Sequence, residues 1–496
     1  MRLGVALGCL AAFVAASTAS PTIRTTLVAQ VVGPAVFGPA AGPQLRIGFA
    51  RAGGGHTVAQ LPLEGYVARV VAGEAARDSQ PAALDALAIT IRTFALANRG
   101  RHRADGFDLC DQTHCQVVRA ASAAATGAAE RTAGRVLLHD GAPASIYYTA
   151  SCGGRTEIPS AVWPGAQDPP YLPSKADEAC GGAPAWTAEI AEADLLRALR
   201  RAGFRGDRLR DVRIVSRDAS GRVARLQLEG LTPDRISGQD LRVAVGRTLG
   251  WLQIKSAAFD LTRRSGASRA YRMSGRGSGH GVGMCVIGSA RLAADGHSAA
   301  GILERYFPGL EIGRFTERAA AARAPGVMIS LPDEDEGERA AIEEMTRLAR
   351  DDLARALDVP APSRVTLRVH PTTDSFEQAA GQPWFISGAV VNGDVHLLPL
   401  TILRERGVLE RTIRHELVHV MTDDVLGRRP LWVREGAALY FAQRAERAPT
   451  QTRAACPNDA DLARPVSIGA LGNAYARARA CFAWQLASGR SWRDVR

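Results

Sequence analysis

The segment HELVH places His415 and His419 four residues apart. On a helix both imidazoles then leave the same face, with Glu416 one residue round from them. Such a pair suits zinc, and a catalytic zinc takes three protein ligands while leaving one tetrahedral position open. The downstream segment WVREGAALYF offers the third donor, Glu435, on a second expected helix. Glu416 is then the general base toward a water attacking a peptide carbonyl. A five-residue match of this kind also arises by chance, but this one sits in an apolar helical pattern of Leu409, Ile413, Leu417 and Val420.

A different carboxylate stands out near the other end of the chain. In LPLEGYVARVVAGEAARD, residues Leu63, Val67, Val70 and Glu74 follow the spacing of one helix face, so a carboxylate continues an apolar stripe. Such a residue is often simply solvated at the edge of the stripe. If it is partly desolvated, its pKa rises toward the working pH, as a general acid at a glycosidic oxygen requires. The next expected helix, SQPAALDALAITIRTFALANRG, has Ser79 and Pro81 as start signals and ends at Gly100. It carries Arg92, either a surface charge or an inward clamp on a substrate oxygen. The run GRGSGHGVGMC, 275–285, invites a nucleotide reading. It lacks the Lys-Ser/Thr ending of a phosphate loop, and its glycines alternate without the gap of the dinucleotide fingerprint. The run reads instead as a tight loop that presents His280.

These residues must be positioned by a chain of 496 residues with 46% hydrophobic content and a net charge of +11. That length allows two or three domains with real cores. The positive charge is almost all Arg and is scattered, Lys175 and Lys255 being the lysines. No basic cluster interleaved with aromatics argues for nucleic acid. The opening MRLGVALGCLAAFVAASTAS has the pattern of a secretory signal peptide over 1–19. No later segment has the length of apolar sequence that a membrane span needs. The protein is therefore expected to be exported, to the periplasm, envelope or medium. In that setting disulfides are the default, with Cys456 and Cys481 the first expected pair and Cys152 with Cys180 a second.

The expected fold class is α+β, in two unrelated domains. Residues 20–44 form a lead-in. From 45 to 314 strand-like runs (ASIYYTA, RIVSR, ARLQLEG) alternate with amphipathic stretches; 315–325 reads as a linker; and 326–496 holds a long helix, the strands RVTLRVH and GDVHLLPL, and the HELVH helix.

In this order, the Glu74 segment, FDLCDQTHCQVV, YYTASCGGRTE, VWPGAQDPPYL and the glycine run resemble the SpoIID/LytB family of cell-wall lytic transglycosylases over nearly all of 45–312. The resemblance implies cleavage of peptidoglycan glycan strands to an anhydro-sugar product, with Glu74 as the catalytic acid. It also implies glycan contacts from Arg92, Gln116, Ser151, Gly153 and His280. One acid suffices where the sugar's own hydroxyl replaces water. Where the family's glycine run continues with Gln and an aromatic, this chain has Val286 and Ile287. For Cys110, His114 and Cys115 two readings stay open. One is a Cys110–Cys115 disulfide. The other is a structural zinc, which the resemblance implies for some members, completed by a residue such as His102 or Cys152.

Residues 326–496 resemble gluzincin metallopeptidases of the peptidase MA-like kind. That resemblance implies a catalytic Zn2+ on His415, His419 and Glu435, Glu416 as base, and a peptide or protein substrate. The combined expectation is an exported enzyme acting on both glycan and peptide bonds. The alternatives are a zinc peptidase brought to the wall by a glycan-binding module that does not cleave, and a non-catalytic scaffold for another wall hydrolase.

Overall fold

In the computed structural model the residues described are 42–51, 55–112, 115–182, 184–264, 269–316, 326–443, 455–463 and 468–496. The expected signal segment, most of the lead-in, His114 and the linker from 317 onward lie outside them. The helix Leu63–Glu74 forms on the spacing read from the sequence, and Leu63, Val67 and Val70 are all buried. The helix Pro81–Ala97 starts on its proline, whose missing N–H is one the first turn leaves unbonded anyway. It is apolar nearly all round, as a helix inside a core must be. Beside these helices the hairpin Gln44–Ala50 and His56–Pro62 pairs antiparallel, and its first strand also pairs parallel with Leu109–Cys110. Strand Glu311–Arg314 returns to pair with Arg135–His139, so residues far apart in sequence share one small sheet.

Between them lies a mostly antiparallel region. Strands Phe259–Arg264, Ala270–Gly275 and Trp186–Ala191 form one sheet in that order. Asp211–Arg217, Val223–Glu229 and Arg235–Ile236 form a second. The sequence expectation for ASIYYTA as a strand is met only at Tyr148–Thr149, which pairs parallel with Met284–Cys285.

The C-terminal part is built on a four-stranded sheet. Val327–Ser330, Val365–Val369 and Asp394–Leu397 run parallel, and Gly388–Val391 is an antiparallel edge. The long helix Arg339–Leu357 connects the first two strands. Helices Leu409–Leu426, Leu431–Ala442 and Ile468–Ala487 follow. The architecture is thus a mixture of helices with small sheets, consistent with α+β.

The tandem arrangement read from the sequence is closer than a linker suggests. Residues from Ala40 to Arg496 form one compact unit. One apolar core includes Trp186, Leu226 and Val245 together with Ile402, Ile413 and Phe482. A short turn of 3-10 helix, Asp333–Glu338, lies at the junction. The Trp163 indole donates to the Glu334 carbonyl at 2.7 Å, and a Cβ at Gly337 would lie 2.1 Å from the Trp163 ring. Arg404 pairs with both Glu338 and Asp240, and Arg247 with Glu334. Burial lifts Asp335 to about 7 and Glu338 to about 8 despite these cations. Four carboxylates share two guanidinium groups here, so proton uptake by the excess is the expected response.

Arg404→Ala leaves Glu338 and Asp240 without their common cation in a mostly buried place. It is expected to cost about 3 kcal/mol or more. Urea unfolding of the full chain reads this as a lower midpoint at unchanged slope.

Candidate functional site

Glu74 is the last residue of its helix. Its Oε1 accepts the N–H of Val117 at 2.9 Å. Gly73 allows this approach, since a Cβ there would sit 2.2 Å from the Val117 carbonyl oxygen. Burial raises the Glu74 carboxyl above the ordinary range, and hydrogen bonds from Val117 and the Tyr148 hydroxyl, with the charge of Arg119, offset this only in part. Behind Tyr148 stands a short relay. Tyr66 donates to Gln116 Oε1 at 3.0 Å, and Gln116 Nε2 donates to the Tyr148 oxygen at 3.3 Å.

Glu74 and His280 line the same cavity of about 480 Å3. Phe94, Tyr147, Trp163, Trp251 and Leu252 supply apolar wall, and Arg101, Arg242 and Lys255 supply positive charge. Trp251 and Leu252 are 39% and 81% exposed, so this part of the lining offers apolar surface to solvent, and the Trp251 ring offers a flat face for stacking. Glu334, Glu336 and Gly337 reach the cavity from the C-terminal part.

His280 is held by the glycine run. Gly277, Gly279, Gly281 and Gly283 all have positive φ. A Cβ on Gly283 would lie 2.0 Å from the Tyr147 carbonyl oxygen, and one on Gly279 2.4 Å from Thr149 Oγ1. The alternation seen in the sequence is therefore a demand for left-handed backbone pressed against 147–153. His280 Nδ1 accepts the Val282 N–H at 3.1 Å, and the ring lies 5.0 Å from Trp163. Burial, then the charges of Arg242 and Arg222, push its pKa down to about 3. The imidazole is neutral with Nδ1 as acceptor, and a hydrogen bond to the Tyr148 backbone offsets the downward shift only in part.

Other residues expected to contact glycan are placed elsewhere. Arg92 is 0% exposed and bonds to Glu64, Thr132 and the carbonyls of Ala129 and Arg135. It is an internal clamp between helices, since an arginine this deep needs every partner it has. Gln116 is buried and acts on Glu74 through Tyr148. Ser151 exchanges backbone hydrogen bonds with Ser278 and turns its hydroxyl to Cys180 at 3.2 Å. Gly153 packs on Gly277, its would-be Cβ 3.0 Å from that nitrogen. These last two brace the glycine run from behind. Val286 and Ile287 open the helix Val286–Ala294 and are not among the cavity's lining residues. The apolar departure therefore lies beside the cleft.

The second constellation is carried by two helices. His415, Glu416 and His419 lie on helix Leu409–Leu426, and Glu435 on Leu431–Ala442. His415 Nε2 and His419 Nε2 are 3.2 Å apart. The Glu435 oxygens are 3.3 and 3.5 Å from them. The two imidazoles and the carboxylate offer three donor atoms to one point, a set that fits zinc. Buried Arg414 ties the two helices, bonding to the Ala442 carbonyl at 2.7 Å and to Asp352. Burial alone would lift Glu435, but the charge of His419 and the hydrogen bond and charge of His415 hold it down to about 2. Burial pushes Glu416 up to about 7. Its side chain lies against edge strand Gly388–Val391, where a Cβ on Gly388 would come within 2.9 Å of it. Tyr475, on helix Ile468–Ala487, has its phenol raised by burial and then by the charges of Glu435 and Glu416. Sequence reasoning missed this residue, because it lies forty positions from Glu435 with no motif around it.

Among the described residues the one disulfide is Cys456–Cys481, as expected. The Cys152–Cys180 bridge is not formed; both thiols instead gather with Cys285 and Asp177. Cys110 and Cys115 are not joined either. Both converge with His102, whose Nδ1 is held by Asp105 at 3.1 Å. A carboxylate on one ring nitrogen is the arrangement that orients histidine ligands, so this set of one imidazole and two thiols also fits zinc.

The relay makes a measurable claim about Glu74. Tyr148→Phe removes a donor to the carboxylate, so the Glu74 pKa should rise further. Carbon-13 NMR titration of the glutamate carboxyls is expected to show that upward shift.

Comparison with known proteins bears on the N-terminal part. A profile described as Stage II sporulation protein matches residues 51–139, and one described as a domain of unknown function (DUF8618) matches 185–283. Stage II sporulation protein D of Bacillus amyloliquefaciens is 27% identical over 281 residues, covering 52% of this chain and 76% of the relative. That of Bacillus subtilis is 27% identical over 277 residues, with the same coverage. An uncharacterized protein of Brachyspira hyodysenteriae is 26% identical over 260 residues, 51% of this chain and 67% of the relative. The N-terminal part of the chain is thus similar to stage II sporulation protein D, and Glu74 lies inside the stretch that the family profile matches.

Proposed function

We propose that the protein is an exported cell-wall enzyme whose Glu74 cleft cuts peptidoglycan glycan strands as a lytic transglycosylase. The observation that carries this reading is a half-buried carboxyl with a raised pKa in one cavity with a neutral imidazole and an aromatic wall. Similarity to proteins named for stage II of sporulation supports a wall-directed role. Glu74, protonated, gives its proton to the glycosidic oxygen as the bond breaks. The sugar's own hydroxyl closes on the anomeric carbon, and the Glu74 carboxylate takes up the proton that this hydroxyl loses. The neutral His280 ring, in contact with Trp163, forms part of the cavity wall against which the sugar ring is placed. Trp251 and Trp163 exclude water from the apolar sugar face.

A second activity rests on the convergence of His415, His419 and Glu435. These three would hold a zinc ion, which when bound polarises water and a peptide carbonyl. Glu416, lifted to about 7 by burial, accepts the proton of the attacking water at its carboxylate and passes it to the leaving amine. Strand Gly388–Val391 lies at the edge of its sheet beside Glu416, where an extended peptide can add alongside it. The Tyr475 hydroxyl is the available donor to the carbonyl oxygen as it gains charge. Holding both sites on one unit raises the local concentration of each activity at one place on the wall.

Sacculi stripped of stem peptides test the glycan half. Wild type should release peptide-free glycan fragments with anhydro-sugar ends, and Glu74→Gln should lose at least about a hundredfold in rate. Products without anhydro ends, or equal rates for both proteins, would overturn it. The acid must carry its proton, so activity should be full below the raised Glu74 pKa and fall as pH rises through it.

Glu416→Gln is expected to leave anhydro-product release intact while abolishing cleavage of casein or wall peptides. Retained peptide cleavage in that variant would remove the second activity.

A further inference from the structure

The sequence paired Cys152 with Cys180 and left Cys285 unassigned, whereas the fold brings all three together as free thiols. Cys152 follows strand Tyr148–Thr149, Cys180 lies in the short helix Glu178–Gly181, and Cys285 ends the strand that follows the glycine run. Their Sγ atoms and one carboxylate oxygen of Asp177 all lie within 4.8 Å of one another, and all four residues are buried. We propose that Cys152, Asp177, Cys180 and Cys285 form a closed structural zinc site, separate from the histidine sets described above.

Several observations point to a cation at this place. Tetrahedral zinc with sulfur at about 2.3 Å and oxygen at about 2.0 Å needs donors spaced by roughly 3.5 to 3.8 Å, which this cluster can supply. Asp177 is 1% exposed, and its Oδ1 is buried without a hydrogen bond, the nearest cation being Arg305 Nη2 at 3.9 Å. A carboxylate oxygen so placed is costly unless something positive meets it. Its other oxygen is already oriented, accepting the Tyr306 hydroxyl at 2.8 Å and lying 3.1 Å from Cys152 Sγ. Cys285 Sγ accepts two backbone N–H groups, from Cys152 and Gly288, each at 3.3 Å. Ser151 Oγ lies 3.2 Å from Cys180 Sγ. Donors aimed at sulfur in this way favour thiolates and orient them as ligands. A disulfide between any two of the thiols would leave the third buried beside an anion.

Such a site would have a definite mechanical effect. Cys152 anchors the loop on which the glycine run packs, and Cys285 anchors the end of that run. A metal held between them would fix both margins of the loop that carries His280 into the cleft.

The test uses the full-length chain purified without reductant and needs no activity assay. Native alkylation followed by peptide mass spectrometry should show Cys152, Cys180 and Cys285 protected, and protection should be lost when a chelator is added. Disulfide-linked peptides among the three, or reactivity that a chelator does not change, would overturn the proposal. Cobalt loading of a Cys110→Ser, Cys115→Ser protein gives a second reading, because the HELVH set has no sulfur ligand. A sulfur-to-cobalt charge-transfer band is expected, and it should weaken when Cys180→Ser is added and disappear when Cys152→Ser and Cys285→Ser are added as well. No band in the folded parent would overturn the site. Asp177→Asn should shift the band, and an unchanged spectrum would remove Asp177 from the ligand set.

Discussion

The turn Asp333–Glu338, with its carboxylates set against Arg404 and Arg247, is the contact on which the two parts of the molecule depend. Burying four carboxylates with two guanidinium groups is tolerable only if the geometry holds and some carboxyls keep protons. Both conditions tie the C-terminal sheet to the helix of Asp240 and to Trp163. Because Gly337 packs on the Trp163 ring, the same contact sets one wall of the Glu74 cleft. The Asp105 carboxylate adds a second tie, meeting Arg368 at 2.7 Å while its other oxygen holds His102.

The same balance of burial against partners sets the chemistry of each site. Glu74 is lifted because desolvation exceeds what Val117 and Tyr148 return. Glu435 is held low because two imidazoles return more than desolvation takes. Arg92 shows the balance at its limit, since a fully buried guanidinium is satisfied only by a nearly complete ring of acceptors. That is why a residue expected at the substrate is found between helices.

How much could be read in advance differs by residue. The HELVH pair and Glu435 were legible because helical spacing alone puts two imidazoles on one face, and a helix-borne carboxylate a short loop later can reach them. The apolar stripe ending in Glu74 was legible for the same reason. Gln116, Ser151 and Gly153 carried a motif's authority, but their side of the loop is set by contacts to Tyr148, Cys180 and Gly277. Local sequence holds no record of those contacts.

The sequence by itself determined the helices that carry the acids and imidazoles, the left-handed glycine run around His280 and the Cys456–Cys481 pair. Each follows from periodicity, steric permission or proximity along the chain. Only the tertiary structure decided that Cys285 joins Cys152 and Cys180, that Tyr475 stands near Glu416, and that the C-terminal part lines the Glu74 cleft. Those relations join residues separated by tens to hundreds of positions. They are fixed by which buried surfaces and charges can be satisfied together, a condition on the whole chain that no single stretch of it contains.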